Sequence, residues 1–539
     1  MMQRSDCITG TLPFECSMEI CGSEMEDKDR MQNRTPLLEL KGITKSFGSF
    51  VANDHIDLRV YPGEVHAVLG ENGAGKSTLM NIIYGMYKPD SGTISINGEK
   101  VRIRSPKDAI RHKIGMVHQH FMLVEVLSAI DNISLLEDDR LFVPRDRKKV
   151  KERIEKLQQQ YHIDVDIESP VEQLGIGMQQ KVEILKLLYT GADVLIFDEP
   201  TAVLPPQECD SLFEIIGNLT AEGKGVIFIS HKLDEVLRIS RRITVLTHGR
   251  VVKELDASEA DREGLVRLMV GEDIDMQIPD HREGTAGEVV VSARGLRARD
   301  KRKVMTLNGV DLDIHAGEIV GIAGVDGNGQ TELAETLAGV RHAKGGKVFI
   351  DGTEVSTYSP RTFVRNHIQY VPADRNNIGT VPDFPLYENW LLRNYDPPRR
   401  GPIIDYHKVR EEAAQAIESY DVRTRGVDER TAQLSGGNLQ KFIMARSLRE
   451  TPKLLICEYP TRGLDIRAAM FIREKIVEAK KAGCGVLLLS GDFDELFSLS
   501  DRLIVMYKGK IVGERRPEET TVREIGMLMM GGAADGKAD

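Results

Sequence analysis

The sequence predicts two α/β domains of one design, each a mostly parallel sheet flanked by helices. Three observations carry this. The chain repeats itself: Asp57-Leu-Arg-Val-Tyr-Pro-Gly-Glu-Val65 returns as Asp311-Leu-Asp-Ile-His-Ala-Gly-Glu-Ile319. Gly92-Thr-Ile-Ser-Ile-Asn-Gly98 returns as Gly346-Lys-Val-Phe-Ile-Asp-Gly352 in the same register. A period this long means a duplicated domain, not a solenoid. In both copies, strand-sized apolar runs alternate with helical stretches, the pattern of a parallel sheet. In both, an early apolar run feeds a glycine-rich loop and then a helix.

Composition sets the class. With 539 residues the chain is too long for one core. It is 41% hydrophobic and 29% charged, an ordinary globular balance. The net charge of −11 argues against a general nucleic-acid binder, which carries a basic excess. Apolar runs such as Val486-Leu-Leu-Leu489 are strand-sized and far short of a membrane span. The six cysteines include no C-x-x-C pair, so free thiols in a reducing compartment are expected.

Residues 1–35 are polar and lack the apolar stretch of a secretory signal, so they read as a disordered leader or an upstream start. The first domain is expected over 36–271 and opens with Leu38-Glu-Leu-Lys-Gly-Ile-Thr44, a strand. Glu64-Val-His-Ala-Val-Leu69 is a buried strand, and Thr78–Tyr84 a helix. Lys148–Gln160 is a charged helix, and Val194–Phe197, Gly225–Ser230 and Ile243–Leu246 are strands. A linker over 272–287 carries Pro279, Gly284 and Gly287. The second domain follows over 288–532, with a helix at His407–Asp421, and 533–539 is a tail.

Between the first strand and helix lies Gly70-Glu71-Asn72-Gly73-Ala74-Gly75-Lys76-Ser77-Thr78, a complete G-x-x-x-x-G-K-[ST] phosphate loop. Its glycines let backbone N–H groups turn inward around a phosphate chain. Lys76 reaches the outer phosphates, and the Ser77 hydroxyl is placed for Mg²⁺. Val194-Leu-Ile-Phe-Asp-Glu199 delivers Asp198 and Glu199 to the carboxyl end of a buried strand, where α/β sheets bind ligands. Asp198 suits Mg²⁺, and Glu199 suits a general base acting on water. His231 ends a later apolar strand and is placed to contact a γ-phosphate. His118 and His120 flank Gln119, but no third ligand makes them a metal site. Phe47 suits stacking on a base, with core packing as the alternative.

Taken in order, these residues resemble the ATP-binding cassette ATPases. The match runs from about Pro36 to Gly532: aromatic Phe47, phosphate loop Gly70–Ser77, Q-loop Gln119, acidic pair Asp198-Glu199 and switch His231. Leu434-Ser-Gly-Gly-Asn-Leu-Gln440 matches the family signature. The resemblance implies two tandem cassettes. Each is a P-loop NTPase α/β core with an antiparallel β subdomain and a helical subdomain. It implies ATP and Mg²⁺ as cofactors, with Ser77, Gln119 and Asp198 on the metal. It gives Glu199, His231, Gln119 and Lys76 the catalytic roles.

The two copies differ. Where copy one has Lys76, copy two has Gln330, a neutral amide. Gln119 becomes Ala373, Asp198-Glu199 becomes Glu458-Tyr459, and His231 becomes Gly491. The signature decays the other way: Ser435, Gly436 and Gly437 are intact, against Leu174-Gly-Ile-Gly-Met178 in copy one. Asp465 stands in copy two where copy one has Pro205. Cassettes of this family pair head to tail, so every intact part falls in one composite site. One hydrolytic site is therefore expected. The second would at most bind nucleotide.

Tandem cassettes with a degenerate second loop and no membrane segment resemble the ATPase subunits of bacterial importers for nucleosides or simple sugars such as ribose and galactose. That implies integral-membrane permease subunits as partners, docking near Phe121–Glu125 and Arg375–Thr380. It also implies a substrate-binding protein reached indirectly, no nucleic acid, and a peripheral place on the cytoplasmic face of the membrane. The alternative is a soluble tandem-cassette ATPase that acts on ribosomes.

Overall fold

The computed structural model describes residues 35–48, 50–118, 121–135, 146–201, 204, 206–230, 232–270, 286–300, 303–325, 327–355, 358–394 and 404–531. Almost all of the expected leader and of the linker, and the whole tail, lie outside them, as do Gln119 and His231. The chain divides into two compact units. One comprises Met1–Leu69, Gly75–Glu199 and Ile215–Ala260, the other Gly70–Ala74, Pro200–Glu214 and Asp261–Asp539.

In the first unit, β1 (Leu38–Phe47), β2 (Phe50–Val60), β4 (Ser91–Ile96) and β5 (Glu99–Val101) form an antiparallel sheet in the order β2-β1-β4-β5. A six-stranded sheet uses β3 (Val65–Leu69), β6 (Ile114–Val117), β7 (Val194–Asp198), β8 (Gly225–Ile229), β9 (Arg242–Thr247) and β10 (Arg250–Asp256). Its order is β10-β9-β3-β8-β7-β6, parallel throughout except at β10. Strands β3, β7 and β8 are buried at every position. That explains why their sequences are largely apolar without alternation: a strand covered on both faces has no solvent side to alternate with. Edge strand β10 is half-exposed and carries Arg250, Lys253 and Glu254.

The second unit repeats this. Strands β11 (Val289–Arg299), β12 (Met305–His315), β14 (Gly345–Ile350) and β15 (Thr353–Glu354) form the antiparallel sheet. The larger sheet uses β13 (Ile319–Ala323), β16 (Ile368–Val371), β17 (Leu454–Glu458), β18 (Gly485–Leu489), β19 (Arg502–Tyr507) and β20 (Lys510–Arg515). Its order, β16-β17-β18-β13-β19-β20, matches that of the first read from the other end. The repeat extends to a partly buried ion pair. Arg242 reaches Glu64 at 2.9 Å, and Arg502 reaches Glu318 at 2.7 Å. Each joins the start of an outer strand to the turn before a central one.

Helices Leu386–Asn394, Tyr406–Ser419 and Gly436–Ser447 gather around their own core of Leu386, Trp390, Ala413 and Phe442. Helices Ala129–Ser134, Arg147–Tyr161 and Ile176–Tyr189 are their counterparts in copy one. The two charged helices expected from sequence fall within a residue or two of these bounds. Asp146 and Asp405 cap them, each accepting from backbone N–H groups of the first turn. Both the antiparallel and the helical subdomains expected from the resemblance are therefore present.

Candidate functional site

The phosphate loop connects β3 to helix Lys76–Ile83. Gly75 caps that helix at φ 99°, and a Cβ there would lie 2.3 Å from the Ala52 carbonyl oxygen. Only glycine fits. Gly73 also has positive φ, and nothing lies within 4 Å of where its Cβ would be. The loop is thus bare on one side and braced on the other. Asn53, wholly buried, donates from Nδ2 to the Gly75 carbonyl at 3.1 Å. The sequence reading missed this brace, and no local signal marks Asn53 out within its strand. Ala74 N donates to Glu71 O at 3.1 Å and closes the turn. Within the second unit, Asn72 Nδ2 donates to Leu464 O at 3.0 Å.

Lys76 is only 6% exposed. Ser77 is exposed and Thr78 half-buried. Asp198 ends β7 and is 9% exposed. Burial, then the charge of Glu199, pushes its carboxyl up to about 6, against a downward pull from Lys76. Among the described residues no hydrogen bond reaches the Asp198 carboxylate, and none joins it to Ser77. A buried acid held this way suits a cation that would supply the missing charge. The residues of copy one therefore fit Mg²⁺. Glu199 follows in the left-handed region, φ 48°, with its N–H on Ile229 O at 2.9 Å.

Phe47 is 46% exposed, which excludes the core-packing alternative. Its ring stands edge-on to Tyr87 at 5.4 Å between centroids, with Lys45 Nζ 5.4 Å from its own centroid. One face of an aromatic pair at the surface is what a stacked base would use. Gln119 and His231 cannot be placed, lying outside the described residues.

The signature residues sit at a helix start. Ser435 caps Gly436–Ser447, and its hydroxyl accepts from Asn438 Nδ2 at 2.9 Å. Ser435 and Gly436 are exposed. A Cβ on Gly437 would come 3.1 Å from the Ala468 Cβ and 3.4 Å from Asp465 Oδ2. Asp465 in turn caps Ile466–Lys481, accepting from Ala468 N at 2.7 Å. In copy one the equivalent helix begins at Gly175 without a side-chain cap.

Copy two keeps the loop and changes its contents. Gly329 caps Gln330–Leu337 at φ 103°. Gln330 folds back, donating from Nε2 to Val325 O of its own loop at 3.0 Å. Tyr459 holds φ 46°, almost the Glu199 value, with its N–H on Leu489 O at 2.8 Å.

The description "ABC transporter" matches residues 53–202 and again 307–462. The chain belongs to the ABC transporter family. It is 44% identical to the glucose import ATP-binding protein TsgD13 of Haloferax volcanii, over 93% of this chain and 96% of that protein. It is 43% identical to the guanosine import ATP-binding protein NupO of Bacillus subtilis, over 92% and 97%. The nucleoside import ATP-binding protein NupA of Lactococcus lactis is 40% identical, over 93% and 99%. Among solved structures, the archaeal ribosome recycling factor aABCE1, in complex with stalk protein aP1, matches with a TM-score of 0.56. At 20% identity over 88% of this chain and 90% of that one, it shows the shared tandem fold alone.

Proposed function

We propose that the chain is the ATP-hydrolysing subunit of an importer for nucleosides or simple sugars, driven from one ATP site. One observation carries this reading. Over more than nine-tenths of its length the chain is similar to proteins named for importing guanosine, nucleosides, glucose and ribose. No helix among the described residues is long and apolar enough to cross a membrane, so the reading requires separate permease subunits. Exposed Met122, Val124 and Val126 beside the first Q-loop, and Ile378 and Phe384 in copy two, suit apolar contact with permease segments. A binding protein outside the membrane would deliver substrate to the permease. The ribosomal alternative rests on the fold neighbour alone, and a net charge of −11 counts against it.

The working site belongs to copy one. Ser77, Asp198 and Gln119 are the groups that would hold Mg²⁺. The ion, when bound, neutralises charge developing on the transferred phosphoryl group. Lys76, already desolvated, pairs with the outer phosphates without paying further for burial. Glu199 accepts a proton from the attacking water, and His231 hydrogen-bonds the γ-phosphate. Phe47 stacks on the adenine. Backbone N–H groups at Ser435, Gly436 and Gly437, with Asp465 beside them, complete the site from copy two.

Affinity purification of the tagged chain from native membranes tests the reading. Integral-membrane permease subunits are the expected partners. Recovery of ribosomes in their place would overturn it. Binding of nucleosides, pentoses and hexoses to the cognate binding protein then names the substrate.

A further inference from the structure

Family membership implies a divalent cation beside each phosphate loop, and the residues of copy two do not fit one. Glu458 stands where copy one has Asp198, with one more methylene. Its Oε1 accepts from the Thr331 hydroxyl at 2.5 Å. Thr331 is the counterpart of Ser77, so the two side chains that would share a cation are bonded directly to each other. The other oxygen, Oε2, accepts from the Tyr370 hydroxyl at 2.5 Å and from Ala373 N at 3.4 Å. Tyr370 is 2% exposed and Glu458 4%. In copy one the residue at the Tyr370 position is Met116, which has no donor to offer.

The carboxylate of Glu458 is thereby satisfied by protein donors on both oxygens. A cation would have to break two short hydrogen bonds, one of them from the buried Tyr370 hydroxyl. Gln330, turned onto Val325 O, brings no charge to phosphates either. We infer that Tyr370, Glu458 and Thr331 form an internal plug that closes the second phosphate loop to divalent cations. The plug keeps that copy's sheet and loop in register with no ligand bound. It rests on contacts within the second copy and stands apart from the reading of the first.

Mn²⁺ counted by electron paramagnetic resonance tests this, using the full chain with a non-hydrolysable ATP analogue. The expected wild-type result is one ion per chain, and none for Asp198→Asn at the same Mn²⁺ concentration. Tyr370→Met, which installs the copy-one residue, should bind a second ion. Two ions on the wild type, or one remaining on Asp198→Asn, would overturn the plug. So would a folded Tyr370→Met chain that stays at one. If Tyr370→Met does not fold, the comparison of wild type with Asp198→Asn still decides, because it leaves copy two untouched. A wild-type chain with no ion would overturn the proposed working site while bearing out closure of the second.

Discussion

The two phosphate loops share a backbone and differ in what their polar side chains touch. Around the first, a buried carboxylate at Asp198 has no hydrogen-bonding partner among the described residues, beside a buried lysine. Around the second, the carboxylate of Glu458 is saturated by Thr331, Tyr370 and the backbone. The first copy holds charge that asks for a ligand. The second has settled its charge internally. A glycine loop alone therefore does not fix what its polar side chains touch, because nearly the same φ angles at Gly75 and Gly329 serve both arrangements.

The comparison breaks most sharply at the residue after each strand-end acid. Glu199→Gln should lower ATP turnover by roughly 10²–10⁴-fold, the usual contribution of a positioned base. Tyr459→Glu should leave turnover at the wild-type rate, because a base in copy two has neither a lysine nor a free acid beside it. Steady-state phosphate release measures both. A normal rate in the first variant, or a doubled rate in the second, would reverse the assignment.

Next in size is a stability effect of the opposite sign in the two copies. Asp198 has its carboxyl raised by burial to about 6, well above the ordinary carboxylate range. A raised acid stabilises the folded chain below the unfolded value, and that contribution is lost as pH climbs through the folded one. The contribution of Asp198 to ligand-free stability thus falls between about pH 4 and 6, and at pH 7 its charged form costs on the order of 2–3 kcal/mol. Asp198→Asn should raise the ligand-free Tm at pH 7, and the gain should vanish near pH 4. Glu458→Gln should lower Tm instead, since its carboxylate accepts three hydrogen bonds. Calorimetry across pH separates the two.

The smallest effect lies at the signature helices. Gly175 is extended and open, with nothing within 4 Å of a Cβ. Gly175→Ser should add the cap that Ser435 gives its own helix, worth about a few tenths of a kcal/mol over glycine. Turnover should not change. An increase would mean that the first signature also meets nucleotide.

Much of this was legible in the sequence, and the limits have physical reasons. The fully buried strands β3, β7 and β8 announced themselves as apolar runs, and the phosphate loop as a fixed spacing of glycines. The loss of Lys76 at Gln330 could be read directly. The plug could not. Thr331 and Glu458 are 127 positions apart, and nothing local tells a tyrosine in Ile368-Gln-Tyr-Val371 from a packing residue. Phe47 left two readings open because an aromatic at a strand end suits both a core and a surface. Only its exposure decided. Asn53 gave no signal, since its bond runs to a backbone carbonyl that any residue at position 75 would carry.

The corner after β7 and β17 has a wider consequence. Glu199 and Tyr459 share one left-handed peptide, each tied by its N–H to the neighbouring strand. That conformation costs a non-glycine residue about 1–2 kcal/mol whichever side chain it bears. The geometry is thus a property of the sheet's exit and is indifferent to the chemistry displayed on it. A reactive group can be exchanged there by one substitution without disturbing the corner, so a duplicated domain can lose its base at this position and keep its scaffold.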